Sequence, residues 1–270
     1  MQYEPIKKSV GRFFSGPLFM RKLLYLLMDL LLLRAWHIKK ALKKIGNEFE
    51  KQINVLDAGS GLGQYSWRMC RMYRSWKIEG IDINTGQVEE CNRFFKRAGL
   101  AERVSFSSGD LSEFSNPGKY SFILSVDVME HIREDEKVFS NFHTSLKTNG
   151  MLLISTPSDK GGSDVHEYND KSFIDEHVRN GYSIGEITSK LVNSGFTEIK
   201  ASYTYGKPGN LSWRLAMKYP VKMLNLSYFF FLLLPFYYLI IFPVSIILNI
   251  FDVRLTHKSG TGLLVTARKY

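Results

Sequence analysis

The chain of 270 residues is long enough for one α/β domain with added segments and too short for two large domains. Its formal charge of +10 is concentrated in residues 1–45 (net +8) and residues 207–259 (net +5), the segments with the longest apolar runs, and it therefore favours an anionic lipid surface over nucleic acid as partner. Its two cysteines, Cys70 and Cys91, lack metal-like spacing, which argues against a zinc site or a disulfide framework and fits a reduced, cytoplasmic setting.

The first 50 residues are predicted to form one or two basic helices ahead of the first strand. Their leucine run, over residues 23–33, is interrupted by Asp29 and follows Arg21 and Lys22. No clear small-residue cleavage site accompanies it. We therefore interpret residues 1–50 as a retained amphipathic segment that suits a membrane interface, rather than as a signal peptide.

Short β-branched or apolar runs alternate with helical patterns from Ile53 onward. The runs are INVLDA, KIEGIDI, RVSFSS, YSFILSV and GMLLIST, followed later by FTEIKASYTY and GTGLLVTARKY. Helices are predicted over residues 61–74, 85–98 and 184–193, and over a stretch that ends at Lys147. Strands and helices that alternate at this spacing are typical of βαβ units and a mostly parallel sheet.

The first strand runs into a glycine-rich turn, VLDAGSGLGQYS. Its glycines are Gly59, Gly61 and Gly63. A strand, such a turn and a helix N-terminus present backbone N–H groups to a ligand, but the dinucleotide fingerprint requires its third glycine where this chain has Gln64. Asp82 ends the second strand about twenty residues on, where a carboxylate can accept hydrogen bonds from a ribose. Asp110, after the third strand, is placed to meet an adenine. A helix cap or turn is the alternative role for each acid.

Five segments in this order, VLDAGSGLGQYS, IEGIDI, SSGDL, FILSVDVMEHI and NGMLLISTP, resemble the motifs of class I S-adenosylmethionine-dependent methyltransferases. The resemblance covers roughly residues 53–157. In motif style it is nearest to ubiquinone and menaquinone biosynthesis and small-molecule methyltransferases. It implies an α/β, Rossmann-like, seven-stranded, mostly parallel sheet with an antiparallel last strand, and S-adenosylmethionine as cofactor. It also implies that the N-terminal helix closes over the cofactor.

The resemblance also implies which residues contact the cofactor. The methionine moiety is expected at Asp57 and the glycine loop, which comprises Gly59, Ser60, Gly61 and Gly63. The ribose and adenine are expected at Asp82, Ile83, Asp110 and Leu111, and Ser125 completes the predicted set. Methyl transfer mainly requires alignment of the acceptor and exclusion of water, so few acid or base groups are obligatory.

The predicted methyltransferase domain, residues 51–206 and 260–270, is interrupted by an apolar helical insertion over residues 207–259. No charged side chain occurs between Met223 and Phe251. Because the strands on either side belong to one sheet, the insertion must leave and return on the same side of a membrane. Two crossings need about forty apolar residues, and the segment has fewer than thirty.

The insertion is therefore predicted to be a hairpin embedded in one leaflet or a helix lying in the interface. Pro235 and Pro243 are expected to bend it, and Tyr228, Tyr237 and Tyr238 to lie in the interfacial layer. Its basic flanks would face lipid phosphates. The alternatives are a buried lid, a dimer interface, or a transmembrane helix that follows if the last strand is wrongly assigned.

Three histidines are candidates for acceptor chemistry. Within SVDVMEHI, Asp127, Glu130 and His131 resemble the D/E-x-x-E-H pattern of ubiquinone-biosynthesis O-methyltransferases, where such residues can hold a divalent cation. A metal is not favoured here, since similar pairs occur without one. His166, in the polar loop after the fifth strand, is the first choice of general base, and a surface-loop role is its alternative. His177 is the second choice.

The sequence thus favours a membrane-associated methyltransferase that acts on a hydrophobic small molecule or lipid. Quinone or phenol precursors and lipid head groups are the candidate acceptors, and O-methylation is slightly favoured. The expected location is the cytoplasmic face of a membrane, with monotopic or peripheral attachment to its anionic surface. A non-catalytic, membrane-anchored S-adenosylmethionine-binding module and, less favoured, a nucleic-acid methyltransferase are the alternatives. The oligomeric state stays open.

Overall fold

The computed structural model describes residues 17–49, 52–161, 178–227 and 229–270. His166, His177 and Tyr228 therefore lie outside the described residues. The strands are β1 Asn54–Ala58, β2 Lys77–Asp82, β3 Val104–Ser108, β4 Tyr120–Val126, β5 Leu146–Pro157, β6 Thr197–Thr204 and β7 Gly262–Arg268. The α-helices are α1 Leu18–Leu31, α2 Leu33–Gly46, α3 Gln64–Met72, α4 Thr85–Arg97, α5 Asp135–Ser145, α6 Ile184–Asn193, α7 Lys207–Trp213, α8 Tyr219–Leu226 and α9 Phe230–Arg254.

The seven strands form one sheet in the order β3-β2-β1-β4-β5-β7-β6. Strands β1 to β5 are parallel, and β7 runs antiparallel to both β5 and β6. The predicted fold class, including the antiparallel last strand and the insertion before it, is confirmed. The strand order reverses between β1 and β4, and ligands of such sheets bind beyond the carboxyl ends of the strands at this point.

Helices cover both faces of the sheet, which explains the continuous burial of the central strands. Five consecutive residues of β4, Phe122–Val126, are buried, as expected for a parallel strand with helices on both sides. One core cluster joins the sheet to α1–α4 through side chains such as Tyr25, Leu42, Trp67 and Phe95. The other joins the sheet to α5 and α6.

The insertion is a helical hairpin. One arm comprises α7, a π-helical turn Arg214–Lys218 and α8, and the other arm is α9. Strand β7 pairs with β6 from Thr204 opposite Gly262 onward, so the hairpin leaves and rejoins the same edge of the domain. The alternative in which the last strand is wrongly assigned is therefore incorrect. Pro235 and Pro243 both lie inside α9, which continues through them as one helix.

The hairpin has a polar interior and an apolar exterior. Ser212 Oγ donates to the Ser245 carbonyl at 3.2 Å, and Asn249 on the same face of α9 is buried. The hydroxyls of Tyr237 and Tyr238 donate to the Leu215 and Ala216 carbonyls, at 2.7 and 2.8 Å, in the π-helical turn. These two tyrosines therefore serve the contact between the arms, a role that the sequence analysis did not assign to them.

The outer face of α9 is exposed and apolar. Its most exposed side chains are Phe231, Leu232, Phe236, Leu239 and Ile240. Of the described helices, α9 alone is long enough and apolar enough to cross a membrane. Only 6% of its most apolar 18-residue stretch is buried. The described residues do not cover this face, so among them the insertion is not a buried lid.

Helix α1 has the reverse of the usual orientation for an amphipathic helix. Arg21 and Tyr25 are buried against the domain. Its leucine face points outward, with Phe19, Leu23, Leu26, Leu27, Leu30 and Leu31 exposed. A soluble helix normally buries such a stripe. Helix α1 therefore presents a second exposed apolar surface, which we call the leucine face.

Candidate active site

The glycine loop turns sharply beyond the end of β1. Gly59, Gly61 and Gly63 have φ values of 74°, 50° and 75°, a region that favours glycine. The N–H groups of Gly59 and Ser60 donate to the Ile81 carbonyl at 2.8 and 2.9 Å, so the loop is fastened to the end of β2. Among the described residues, a Cβ on Gly61 would meet nothing closer than Gln87 Oε1 at 3.9 Å, so these residues leave open space on that side of the loop.

The structure places the Asp57 carboxyl beneath the loop, not in that open space. Only 2% of Asp57 is exposed, and its Oδ2 accepts a hydrogen bond from Ser66 Oγ at 2.6 Å. Burial raises the pKa of this carboxyl from its ordinary value of 3.8 to about 6, against the opposing effect of the Ser66 hydrogen bonds. Asp57 thus fixes helix α3 to β1, and through this hydrogen bond it supports the glycine loop that joins the two elements.

Asp82 links the ends of the neighbouring strands to the glycine loop. Its Oδ2 accepts from the Gly61 N–H at 2.7 Å, and its Oδ1 accepts from the Asn84 N–H at 2.9 Å. The Gly109 N–H donates to the Asp82 carbonyl at 3.1 Å, which brings the end of β3 to the same place. Ile83 is 74% exposed, an unusual state for its residue type and one that fits a surface for a flat apolar ring.

The remaining predicted cofactor residues lie around this edge. The Asp110 carboxylate accepts from the Ser112 N–H at 2.8 Å, and this hydrogen bond lowers the pKa of Asp110. Leu111 is buried. Within the described part of the chain, the hydroxyls of Ser60 and Ser125 are buried with no hydrogen-bond partner. Two unpartnered hydroxyls, an acid at the loop and an exposed Ile83 fit the polar and apolar parts of S-adenosylmethionine.

Helix α1 lies directly over the glycine loop. Tyr25 Oη and Arg21 Nη2 both donate to the Leu62 carbonyl, at 2.5 and 2.9 Å. Gln64 Nε2, in the first turn of α3, donates to Asp29 Oδ1 at 2.8 Å, and Arg68 forms an ion pair with the same carboxylate. The polar side chains of α1 that interrupt its leucine run therefore hold the helix on the loop.

The segment after β4 lies at the same edge of the sheet, beside the glycine loop. Asp127 has a φ of 51°, rare for a non-glycine residue, and its N–H donates to the Ser155 carbonyl at 2.8 Å. Its carboxylate forms an ion pair with Arg34, in the first turn of α2. Glu130 is buried, which raises its pKa, and its Oε2 accepts from Thr156 Oγ1 at 3.1 Å.

The structure brings only some of the catalytic candidates to this edge. His131 lies in the 3-10 turn Met129–His131 that follows Asp127, whereas His166 and His177 fall outside the described residues. Among the described residues no group of three or more His, Cys, Asp or Glu could hold a metal ion. The proposal of His166 as general base therefore stays a prediction.

Sequence reasoning missed three residues at this edge: Arg34, Tyr65 and Tyr205. The Arg34 backbone N–H donates to Tyr205 Oη at 3.0 Å, and the Tyr65 hydroxyl is buried on α3. Tyr65 lies two residues beyond Gly63, so its closeness to the loop could have been noticed. Arg34 and Tyr205 are separated by 171 positions, and nothing local in the sequence indicates their contact.

Comparison with known proteins agrees with this geometry. A family profile described as "Methyltransferase domain" matches residues 49–198. Malonyl-[acyl-carrier protein] O-methyltransferase of Priestia megaterium is 27% identical over 110 residues, which are 41% of this chain and 39% of the relative. Ubiquinone biosynthesis O-methyltransferase of Rickettsia conorii is 23% identical over 114 residues, 42% of this chain and 38% of the relative. The chain thus spans less than half the length of these curated relatives.

Among solved structures, phosphoethanolamine N-methyltransferase 2 of Haemonchus contortus, in complex with S-adenosyl-L-methionine, superposes with a TM-score of 0.61. The match covers 87% of this chain and 52% of that one at 18% identity. At this identity the likeness concerns the fold alone, and it agrees with the sheet and the strand order described above.

Proposed function

The chain belongs to the methyltransferase-domain family, and we propose that it is an S-adenosylmethionine-dependent methyltransferase that works at a membrane surface on a hydrophobic or lipidic acceptor. The observation that carries the catalytic part is the glycine loop fastened to Asp82, with open space before Gly61. When bound, S-adenosylmethionine supplies an activated methyl group on a sulfonium. The chain has to hold that group, align the acceptor and exclude water.

The names of the relatives support a small-molecule acceptor. Two relatives are named as O-methyltransferases, one for a malonyl group on a carrier protein and one for ubiquinone biosynthesis. The quinone relative fits an acceptor with a long apolar tail, which favours the lipidic class for this chain.

The membrane part rests on the hairpin. A soluble helix pair buries its apolar side chains between the helices, whereas this pair buries Ser212, Ser245 and Asn249 and exposes the large apolar residues of α9. Such an arrangement is favourable where the surroundings are themselves apolar. At about 1.5 Å per residue, α9 is roughly 37 Å long, so it offers an extended lipid-facing surface.

Charge on the first arm favours a hairpin that lies along the interface. Arg214, Lys218 and Lys222 recur every four residues in the π-helical turn and α8, so they fall on one side of that arm. Such a row opposes passage through the hydrocarbon core, but it suits contact with phosphates while α9 contacts acyl chains. Together with hairpin ends at one edge of the sheet, this supports monotopic attachment.

The leucine face and the hairpin meet at one junction. Asp252 near the end of α9 is fully buried and accepts from His37 Nε2 at 2.8 Å, the Gly209 N–H at 2.9 Å and the Tyr205 N–H at 3.2 Å. A Cβ on Gly209 would lie 2.6 Å from Leu33 Cδ2, at the start of α2. Helices α2, α7 and α9 are thus fixed to one another where the leucine face ends.

The activity is tested by incubating the purified protein with methyl-labelled S-adenosylmethionine and a membrane-lipid extract, then separating the organic and aqueous phases. Label in the organic phase, abolished in Gly61→Arg, is the expected result. Cofactor binding without label in any product would contradict the catalytic proposal and favour a binding module. Label that stays wholly in the aqueous phase would contradict the lipidic acceptor.

Membrane attachment is tested by flotation with vesicles that contain phosphatidylglycerol. Ile240 is 69% exposed on α9 and would be buried by lipid on binding. Loss of this burial costs about 2 kcal/mol, so Ile240→Glu should weaken vesicle binding roughly 30-fold. Val192→Glu is the matched control, because Val192 is 56% exposed on α6, outside both apolar surfaces. If the wild-type protein does not bind vesicles but forms a dimer that Ile240→Glu dissociates, the hairpin is an oligomer interface instead.

A further inference from the structure

The Arg34–Asp127 ion pair crosses the carboxyl edge of the sheet between two separate segments. Arg34 comes from the first turn of α2 and Asp127 from the turn after β4. Tyr205 Oη, from the end of β6, accepts the Arg34 backbone N–H at 3.0 Å. Burial raises the pKa of the Tyr65 hydroxyl, and the nearby Arg34 guanidinium opposes that rise. Three polar residues from three other segments, Asp127, Tyr205 and Tyr65, therefore lie around Arg34.

The pair is poorly explained as a purely structural contact. The side chains of Arg34 and Asp127 are 30% and 31% exposed, and ion pairs that solvent can partly reach contribute only modestly to stability. Asp127 nevertheless adopts a left-handed backbone conformation that is unfavourable for a non-glycine residue. Strained residues of this kind cluster where a side chain must be held in place for function.

The pair also lies beside the cofactor loop. A Cβ on Gly59 would lie 2.2 Å from Val128 Cγ2, so the residue after Asp127 is in contact with the glycine loop. The Asp127 N–H donates to the Ser155 carbonyl, which anchors the turn on β5. The turn that carries Asp127 is thereby held between the glycine loop and β5.

Two apolar surfaces end near Arg34. The leucine face ends at Leu31, three positions before it, and Tyr205 lies two positions before the hairpin begins at Lys207. An acceptor whose apolar tail lies in the bilayer can therefore bring its polar head to the guanidinium. A guanidinium selects an oxygen acid over an amine, because it offers hydrogen-bond donors and positive charge and no acceptor.

We propose that Arg34 and Asp127 form the acceptor head-group site, and that the acceptor class is an amphipath with an apolar tail and an ionisable hydroxyl or carboxyl group. This assignment rests on the proposed methyltransferase function. Arg34 binds the acceptor oxygen in place of Asp127, and the freed Asp127 carboxylate takes the hydroxyl proton. The oxygen lone pair then bonds to the methyl carbon while the carbon–sulfur bond breaks and its electron pair stays on sulfur. A carboxylate acceptor needs no proton transfer.

The test compares three amphipathic probes with linear alkyl tails of similar length, dodecylphenol, dodecanoate and dodecylaniline, each in mixed micelles, beside the membrane-lipid extract. Wild-type protein should place the methyl group on oxygen, as read from the NMR chemical shift of the product, and should favour the two acids over the aniline. Arg34→Gln should lower kcat/KM for both acids about 100-fold, the effect of removing one donor to a reacting oxyanion.

Asp127→Asn separates the two roles. It should lower kcat for dodecylphenol by about 10²- to 10⁴-fold, as expected for loss of a general base, and leave dodecanoate nearly unaffected. Arg34→Lys should recover part of the binding, and Arg93→Gln, at an exposed surface pair, should leave every parameter unchanged. Calorimetric titration should give the same S-adenosylmethionine affinity for wild type, Arg34→Gln and Asp127→Asn, which excludes misfolding as the cause.

Methylation on nitrogen or carbon, or an Arg34→Gln variant as active as wild type, would overturn the head-group assignment while the proposed function stands. Equal losses of Asp127→Asn on dodecylphenol and dodecanoate would overturn the proton-accepting role. If wild-type protein transfers label to neither the probes nor the extract, the proposed function itself fails, so the two failures are told apart.

Discussion

Gly59 and Gly61 allow the location of the cofactor to be tested by adding one methyl group at a time. Both have positive φ, but their surroundings differ. A Cβ on Gly59 would lie 2.2 Å from Val128 Cγ2, whereas a Cβ on Gly61 would have, of the described residues, only Gln87 Oε1 within 4 Å, at 3.9 Å. Gly59→Ala therefore perturbs the packing of the loop, and Gly61→Ala mainly fills the open space before it.

The two variants should differ in stability and in affinity. The left-handed backbone costs about 1–2 kcal/mol for alanine at either position. Overpacking against Val128 adds about 1–3 kcal/mol at Gly59, so Gly59→Ala should lower the free energy of unfolding by about 2–5 kcal/mol and Tm by roughly 5–20 °C. Gly61→Ala should lose only the backbone part, yet a methyl group that clashes with bound S-adenosylmethionine by about 1–3 kcal/mol raises Kd about 5- to 150-fold.

Differential scanning calorimetry measures the stability and isothermal titration the affinity. Val128→Ala removes both methyl groups that the new Cβ would meet, so in the double variant it should restore the steric part of the Gly59→Ala loss and leave the backbone part. A Gly61→Ala protein that binds S-adenosylmethionine as tightly as wild type would refute the placement of the cofactor in front of this loop.

Three further predictions concern buried carboxylates. The raised pKa of Asp57 means that between about pH 4 and pH 6 the folded chain keeps a proton that the unfolded chain loses. The free energy of unfolding should therefore fall by up to about 3 kcal/mol as pH rises through this range. Urea denaturation at a series of pH values measures this fall, and Asp57→Asn should remove it. Asp252→Ala removes the acceptor of three donors, two of them buried, and should lower the free energy of unfolding by about 3 kcal/mol, with faster proteolysis at the hairpin base; unchanged cleavage would contradict the role of the junction. Asp135→Asn should cost about 3–5 kcal/mol, measured by thermal unfolding, because it leaves Arg179 and Lys190 without their shared carboxylate; a loss below 1 kcal/mol would show that these cations find other partners.

The fold was predictable because its signals are local. Each strand of the sheet is a short apolar run, and the glycine loop, Asp82 and Asp110 follow strands at the expected positions. Periodicity also found α1, but not the direction in which its leucine face points. Hydrophobic patterning assigns the apolar side inward by default, whereas here Arg21 and Tyr25 face inward because the Leu62 carbonyl accepts hydrogen bonds from both.

The proposed acceptor site was not predictable, because it is built from contacts between distant segments. Arg34 meets Asp127 across 93 positions, and His37 meets Asp252 across 215. The pattern DVMEH resembles a metal-binding motif, but a short motif shows that a carboxylate is present and not which residue it contacts. In the structure the Asp127 carboxylate contacts Arg34. For Asp57, the motif gives the position of the residue but not the burial of its carboxyl group against Ser66.

The strand order has a consequence for how the chain is made. Strand β7 lies between β5 and β6 in the sheet but follows the hairpin in the sequence, so β5 and β6 leave the ribosome before the strand that joins them. Until β7 emerges, β5 and β6 each have an unpaired edge, and the apolar face of α9 precedes β7 out of the ribosome. Unpaired strand edges and exposed apolar surfaces both promote aggregation. With the proposed attachment, a nearby bilayer takes up the hairpin during this interval. Under that proposal, lipid contact would precede closure of the sheet.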